Sequence, residues 1–366
     1  MSTTKKILNY YDLSKDKDNI HLSKVIGSGG FGEVHLGMYR GRRVAVKIGI
    51  GSQSFKAMEN EIEILSKVNG HPNIAEFIGY VIAGKVLKNV RSLMIIMDYY
   101  NCSNLYFPLQ IISRYTESNT RYYMRQLCNA LAYLHSANIV HGDLKLENLV
   151  IQCRGDGEQT LKLIDFGTST YIESARDFPS GPEGGTLDYL SPERVEFEDY
   201  SFPADIWSLG ILLFEMPSGK APFMSNGIAQ REQMRIIARG KYTMDPLFSQ
   251  NLKKIITKIL VVDQYKRPTI IELMKDPFFH EKSSNPVNLK EIGKEINKRG
   301  RASYVKRSNS AKHLKAFNDA ELKKLRGGSY GMVIKRRSVI KSKKIHRNGR
   351  EIKMRRRQKI FLNNPY

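Results

Sequence analysis

The sequence predicts an α+β protein in which a small β-rich lobe is followed by a larger helical lobe. Residues 34–48 alternate between apolar and polar side chains on both sides of Arg40 and Gly41, which is the pattern of a β-hairpin. Residues 121–135 and 204–216 follow helical patterns instead. The strands are therefore expected early in the chain and most helices after them.

Two further elements complete the predicted small lobe. Residues 55–68 have the pattern of an amphipathic helix, and the punctuation around Pro72 ends it. The short apolar run 93–97 predicts a buried strand. The apolar side of the helix consists of Met58, Ile62, Leu65 and Val68.

The positive charge of the chain is concentrated in its last part. The 366 residues have a formal net charge of +23, but residues 283–366 alone contain 25 Lys or Arg against 5 Asp or Glu. A dense block of like charge resists joining a shared core. We therefore predict an amino-terminal extension, 1–18, a globular domain, 19–282, and a basic, largely disordered tail, 283–366. Within the domain, the two lobes would span about 19–97 and about 101–282.

Cysteine usage and hydropathy favour an intracellular protein. The cysteines are Cys102, Cys128 and Cys153, and none has the C-x-x-C spacing of a zinc or redox site. The first 24 residues are polar and charged, and no stretch approaches the ~18 apolar residues of a membrane span. We expect a soluble protein without a transmembrane segment, in the reducing environment of the cytoplasm and/or nucleus.

A glycine-rich loop lies between two of the predicted strands, with the pattern G-x-G-x-x-G-x-V. Glycines have no Cβ atom, so backbone N–H groups can approach a phosphate closely. A dinucleotide-binding fingerprint shares this spacing but requires a helix after the glycines, whereas a strand pattern follows here. The nucleotide-contacting residues expected in this region are Ile26, Gly27, Ser28, Gly29, Gly30, Phe31, Gly32 and Val34.

Lys47 ends the apolar strand sequence V-A-V-K, and a buried ammonium needs an anionic partner. The phosphates of a nucleotide could be this partner, and so could the carboxylate of a side chain. Glu61 on the following helix is the best candidate, with Glu59 and Glu63 as alternatives. A surface lysine beside a solvated acidic helix is the other interpretation, which the apolar flanks of Lys47 disfavour.

The densest group of polar residues is the sequence His141-Gly142-Asp143-Leu144-Lys145-Leu146-Glu147-Asn148, followed by Asp165-Phe166-Gly167. With the glycine loop, V-A-V-K and an S-P-E triplet, these motifs occur in the order of one family. Over residues 19–282 the chain resembles the eukaryotic protein kinases of the serine/threonine type. The resemblance implies the bilobal protein kinase fold and transfer of the γ-phosphoryl group of ATP, with Mg²⁺, to serine or threonine hydroxyls of protein substrates.

The resemblance also implies a role for each polar residue. Asp143 would accept or orient the proton of the substrate hydroxyl, and Lys145 would neutralise charge on the transferred group. Asn148 and Asp165 would hold Mg²⁺, which needs few protein ligands because it keeps waters and phosphate oxygens in its shell. Lys47, paired with Glu61, would contact the phosphates.

An adenine pocket between the lobes is implied by the same resemblance. Val34 and Ala45 would cover the base from above, and Val150 would cover it from below. The hinge from Asp98 to Tyr100 would meet its polar edge. This pocket is the expected place of the nucleotide.

Three polar residues farther along the chain are implied to be structural. Glu193 of the S-P-E triplet would pair with Arg267, and Asp205 would hydrogen-bond the backbone of the loop that contains Asp143.

Lys145 and the sequence Gly185-Thr186 favour serine/threonine over tyrosine specificity. Residues 184–193 resemble the aurora kinases, although so short a match leaves the subfamily open.

Gly142 departs from the family pattern. Many kinases have an arginine at this position, which binds a phosphate on the activation segment, here residues 165–193. We therefore expect the segment to adopt its active form without phosphorylation, so that alanine at its hydroxyls leaves most activity intact. The candidate phosphorylation sites are Thr168, Ser169, Thr170, Ser174 and Ser180.

Two other functions remain open from the sequence. A pseudokinase would use the same fold as a scaffold, but Lys47, Asp143, Asn148 and Asp165 are all present, which disfavours it. A nucleic-acid-binding protein would act mainly through the basic tail. The tail has runs of Lys and Arg suited to import receptors, nucleic acid or anionic lipid.

Overall fold

The computed structural model describes residues 11–29, 32–50, 52–87, 90–174, 177–182, 184–224, 227–282, 286–289, 345–347 and 350–352. Residues 11–289 of this set form two lobes, a β-rich one followed by a helical one. The predicted α+β class and the order of the lobes are confirmed. Among the described residues, no helix is both long and apolar enough to cross a membrane.

The small lobe is a five-stranded antiparallel sheet with one long helix, α1 (Ser52–Val68). The strands lie in the order β1-β2-β3-β5-β4. The turn between β2 and β3 places Arg40 and Gly41 at φ values of 49° and 78°, a conformation suited to a tight hairpin. The predicted hairpin, helix and buried strand are thus confirmed. The strands are β1 (Ile20–Gly29), β2 (Gly32–Tyr39), β3 (Arg42–Ile50), β4 (Phe77–Leu87) and β5 (Val90–Asp98).

Both faces of this sheet are covered. On one face, Val44 and Val46 belong to a small apolar cluster against which Leu13 packs. The segment that contains Leu13 is joined to β4 by backbone hydrogen bonds, including one of 2.8 Å from the N–H of Leu13 to the carbonyl of Tyr80. Residues 11–18, assigned to an extension by the sequence, therefore cover the outside of the sheet.

The large lobe is organised around α5 (Phe202–Ser218), whose residues 204–217 are all buried. A helix that is apolar on every side is expected at the centre of a core. Around it lie α2 (Tyr106–Ile112), α3 (Glu117–Ser136), α4 (Pro192–Val195), α6 (Gln230–Arg239), α7 (Gln250–Ile259), α8 (Ile270–Met274) and α9 (Pro277–His280). Two short antiparallel pairs join β6 (Ile139–Val140) with β9 (Thr170–Tyr171) and β7 (Leu149–Cys153) with β8 (Gln159–Leu163).

The globular part continues past the predicted boundary at Ser283. Leu289 is buried against the main core, and the N–H of Val287 donates to Asn119 on α3 at 2.9 Å. Separately, β10 (Ile345–Arg347) and β11 (Arg350–Ile352) form a two-stranded antiparallel pair. The other residues of the basic tail, with its predicted disorder, lie outside the described residues.

Cys102 and Cys153 form a disulfide that the sequence analysis did not predict. Their separation of 51 residues in the sequence does not indicate that they pair. Backbone pairing brings them together, because the N–H of Cys102 donates to the carbonyl of Ile151 at 3.2 Å and the N–H of Ile151 donates to the carbonyl of Ser103 at 3.1 Å. The third cysteine, Cys128, is a free buried thiol. Disulfides are rare in reducing compartments, so this pair does not fit the reducing environment expected from the sequence.

We predict that reduction of this disulfide lowers stability without unfolding the domain. Closing a loop with a separation of 51 residues restricts the unfolded chain and stabilises the fold by about 4 kcal/mol in the chain-entropy model. Urea unfolding with and without dithiothreitol should show this difference in the wild type but not in Cys102→Ser. Equal unfolding free energies of the wild type in both conditions would contradict the prediction.

Candidate active site

The predicted site residues surround the cleft where the two lobes meet. Of the glycine-rich loop, the residues from Ile26 to Gly29 end β1, whereas Gly32 and Val34 begin β2. The register pairs Gly27 with Val34, and Val34 with Lys47 on β3. The sheet thus places the loop directly beside Lys47. Gly30 and Phe31 lie outside the described residues.

Gly32 is required by a close approach of two backbones. Its φ is +136°, and a Cβ atom there would lie 1.9 Å from the carbonyl oxygen of Ile48 on β3. No side chain fits in this space without moving β2 from β3. The glycine therefore keeps the loop close to the strand that contains Lys47.

Lys47 contacts two carboxylates. Its Nζ donates to Oε2 of Glu61 at 2.5 Å and to Oδ1 of Asp165 at 2.8 Å. Glu61 is the predicted partner, whereas Glu59 is exposed and Glu63 bonds to Lys67 instead. Burial alone would lower the pKa of Lys47, but the two carboxylates raise it, so the ammonium stays charged.

Asp165 has a left-handed backbone conformation, with φ 66°, and its carboxylate accepts from Lys47. The next residue, Phe166, is fully buried and packs edge-to-face on His141 with 5.0 Å between ring centroids. Burial alone would raise the pKa of Asp165, but Lys47 lowers it to about 2. Asp165 is therefore ionised at neutral pH and fixed by the packing of its neighbour.

The predicted catalytic pair, Asp143 and Lys145, is in direct contact. Nζ of Lys145 lies 2.5 Å from Oδ2 of Asp143. The hydroxyl of Thr186 donates to Oδ1 of Asp143 at 3.0 Å, and Lys145 donates to the same hydroxyl at 2.8 Å. Asn148 holds the loop by donating to the carbonyl of Asp143 at 2.8 Å. Thr186 is a site residue that the sequence marked only as a specificity signal.

Asn148 and Asp165 suit a magnesium site completed by other ligands. Because Nδ2 of Asn148 is occupied by Asp143, its side-chain oxygen is left for a cation. No group of three or more His, Cys, Asp or Glu that could hold a metal occurs in the described part of the chain. Two hard oxygens with phosphate and water fit the coordination of Mg²⁺.

The side chains of the two predicted hinge residues, Asp98 and Tyr100, are bonded to the small lobe. The carboxylate of Asp98 accepts from Arg42 at 3.1 Å. The hydroxyl of Tyr100 accepts from the backbone N–H of Glu76 at 2.8 Å. The backbone of the hinge is therefore the group left to meet a ligand. Val150, which is expected to cover the base from below, lies on β7.

The predicted structural contacts of the large lobe are confirmed. Asp205 accepts from the backbone N–H groups of His141 and Gly142 at 2.9 and 3.0 Å. Glu193 and Arg267 form a buried bidentate ion pair at 2.8 and 2.7 Å. Removing one partner of such a pair leaves an uncompensated buried charge.

A group of buried and half-buried carboxyls beside the catalytic pair was missed by the sequence analysis. Burial raises the pKa of Glu147, Asp188 and Glu215, in the last case to about 8. The hydroxyl of Tyr189 donates to Glu215 at 2.6 Å. Within the described residues, Oε2 of Glu147 is buried and has no hydrogen-bond partner. The acidic cluster, defined as Glu147, Asp188 and Glu215, therefore has unused capacity to accept hydrogen bonds.

Comparisons with known proteins agree with these motifs. Residues 20–279 match the family model described as Protein kinase domain. Aurora kinase A-B and Aurora kinase A-A of Xenopus laevis are 31% and 30% identical over 276 and 273 residues, or 74% and 73% of this chain. An Aurora kinase of Dictyostelium discoideum is 30% identical over 283 residues, 74% of this chain and 70% of its own length. The chain spans only 64% and 63% of the two Xenopus proteins.

We predict that Glu215 makes stability fall as pH rises. Its folded-state pKa of about 8 exceeds the ordinary value of 4.5, so the folded protein keeps a proton that the unfolded chain has lost between these pH values. In urea unfolding at pH 5 to 8, Glu215→Gln should gain stability relative to the wild type as pH increases. The exposed Glu232→Gln is the control for losing an acidic side chain. If the unfolding free energies of Glu215→Gln and the wild type changed in parallel with pH, the prediction would be contradicted.

Proposed function

The chain belongs to the protein kinase family, and we propose that it is an active kinase that transfers the γ-phosphoryl group of ATP, with Mg²⁺, to serine or threonine hydroxyls of protein substrates. The observation that carries this proposal is the contact of Lys47 with both Glu61 and Asp165. These three residues lie far apart in sequence, and phosphoryl transfer in kinases requires the lysine–glutamate pair and the metal-binding aspartate together.

Different residues of the chain would contact the phosphates, the base and the metal ion. Lys47 would orient the phosphates, with the glycine-rich loop above them. Val34, Ala45 and Val150 would enclose the base, and the hinge backbone would meet its polar edge. Asn148 and Asp165 would hold Mg²⁺, which neutralises phosphate charge when bound.

The acceptor hydroxyl would approach Asp143 from the side of the activation segment. The hydroxyl of Thr186, which now donates to Asp143, marks a position from which a hydroxyl proton reaches that carboxylate. Lys145 fixes the other carboxylate oxygen and provides positive charge close to the transferred group. Asp143 would thus orient the hydroxyl and receive its proton.

The test is transfer of the γ-phosphoryl group to a peptide library containing serine, threonine and tyrosine, in the presence of Mg²⁺. We expect transfer to serine and threonine by the wild type and its loss in Asp165→Ala, because that variant lacks a metal ligand. The exposed Glu232→Gln serves as a matched control and should remain active. Binding of ATP without transfer by the wild type would favour the pseudokinase scaffold instead.

The acidic cluster extends the proposal to the substrate. Its three carboxyls are desolvated next to Asp143 and Lys145, and one carboxylate oxygen of Glu147 has no hydrogen-bond partner among the described residues. A Lys or Arg of a substrate would provide both the missing donors and a compensating charge. We therefore propose that substrates have a basic residue close to the acceptor hydroxyl.

This preference predicts an effect of Glu147→Gln that depends on the peptide, because Glu147 has the carboxylate oxygen without a hydrogen-bond partner among the described residues. The kcat/KM of this variant should fall by about tenfold for peptides with arginine near the acceptor, since about 1.4 kcal/mol of charge pairing is lost. Matched peptides with glutamine in place of arginine should show little change. An equal loss for both peptides would indicate a structural effect instead.

The basic tail supports a separate proposal that rests on charge alone. Residues 283–366 would attract import receptors, nucleic acid or anionic lipid, and added salt would weaken each of these contacts. We also propose a location in the cytoplasm and/or nucleus, where import receptors and nucleic acid occur. A protein that acts mainly through nucleic-acid binding would lose its function on deletion of the tail while peptide phosphorylation persisted.

A further inference from the structure

We propose that Arg194 is a positioning residue that ties the activation segment to the catalytic loop, here residues 141–148, and makes a phosphate on the segment unnecessary. Its side chain is buried, with one nitrogen, Nη1, donating to the carbonyl of Gly142 at 2.5 Å and the other, Nη2, to the carbonyl of Gly184 at 2.8 Å. This inference concerns regulation of the site and rests on the proposed kinase function.

The first end of the tie is the peptide group next to Asp143. Gly142 has φ +81°, and a Cβ atom there would lie 2.9 Å from the carbonyl oxygen of Thr168. An arginine at this position is therefore sterically disfavoured. Instead, Asp205 accepts from the N–H of Gly142 while Arg194 donates to its carbonyl. The residue before the catalytic aspartate is thus held from both sides by charged groups.

The second end of the tie lies two residues before Thr186, whose hydroxyl reaches Asp143. The guanidinium of Arg194 also lies over the ring of Tyr200, 4.5 Å from its centroid, which limits its rotation. An arginine suits this role because its planar, always charged group donates in several fixed directions at once. Arg194 therefore couples the placement of the segment to the placement of Asp143.

Other hydroxyls of the segment are already used as structural donors. Ser169 is buried and donates to the carbonyl of His141 at 3.0 Å, and Thr168 donates to the same carbonyl at 3.3 Å. Phosphorylation of Ser169 would break its contact. These two residues tie the start of the segment to the catalytic loop, as Arg194 ties its end.

The test compares Arg194→Met with Leu252→Ala, a buried substitution on α7 chosen to lower the melting temperature by a similar amount. We expect Arg194→Met to lower kcat at least tenfold and to raise KM for peptide, with KM for ATP unchanged because Lys47, Glu61 and Asp165 keep their contacts. Leu252→Ala should keep its kcat below its melting temperature. If Arg194→Met does not fold, Arg194→Lys is used instead. This variant keeps the positive charge but cannot donate to the carbonyls of Gly142 and Gly184 at the same time.

Hydrogen exchange provides a readout that does not depend on activity. Amides of residues 184–190 should exchange at least tenfold faster in the Arg194 variant than in Leu252→Ala. Exchange and kcat equal in these two proteins would overturn the proposal. Absence of transfer by the wild type, with faster exchange in the variant, would reject the kinase function but leave the tie in place.

The role of phosphate is tested on protein treated with phosphatase. A variant with alanine at the remaining candidate sites, Thr170, Ser174 and Ser180, should keep at least a third of the wild-type kcat, and mass measurement should show no phosphate on the active wild type. Thr168 and Ser169 are left intact because their hydroxyls are structural donors. A loss of more than tenfold in this variant or on phosphatase treatment would overturn the proposal.

Discussion

The geometry of the site depends on the carboxylate of Asp205. It lies in the first turn of α5, the buried helix at the centre of the large lobe, and accepts from the backbone of His141 and Gly142. Burial alone would raise the pKa of Asp205, but the hydrogen bond from His135 and the nearby histidines lower it. An ionised group on the buried central helix therefore fixes the start of the catalytic loop, and the position of Asp143 follows.

Charge is arranged in the cleft so that each buried cation faces carboxylates. Lys47 contacts Glu61 and Asp165, and Lys145 contacts Asp143. Such pairs are tolerated because each compensates the desolvation of the other group. The acidic cluster is different, because its buried and half-buried carboxyls have no comparable ion pair among the described residues. Carboxylates are thus paired with lysines where a nucleotide would bind, and they lack such partners where a protein chain would lie.

Local patterns and motifs in the sequence predicted much of the fold and the polar core of the site. Alternation predicted the hairpin of β2 and β3, and Glu61 was the best candidate for the partner of Lys47, although only the structure distinguishes it from Glu59 and Glu63. Contacts between distant segments that no family motif implies could not be predicted, since neither periodicity nor motif spacing encodes them. Arg194 is an example, because it directly follows the S-P-E triplet but acts on Gly142, 52 residues earlier. The disulfide and the packing of residues 11–18 on β4 were missed for the same reason.

The hinge is a short connection with hydrogen bonds to one lobe on each side. Asp98 is bonded to Arg42 of the small lobe. On the other side, Asn101 exchanges two hydrogen bonds of 2.9 Å with the backbone of Cys153, whose disulfide fastens the next residue to the large lobe. Only Tyr99 and Tyr100 lie between these anchors. A second connection runs beside the hinge, because the N–H of Ala75 donates to the carbonyl of Leu163 at 2.9 Å and the N–H of Leu163 donates to the carbonyl of Asn73 at 2.8 Å. With two connections side by side, a change in the angle between the lobes would have to bend both of them together, which favours rotation about one shared axis.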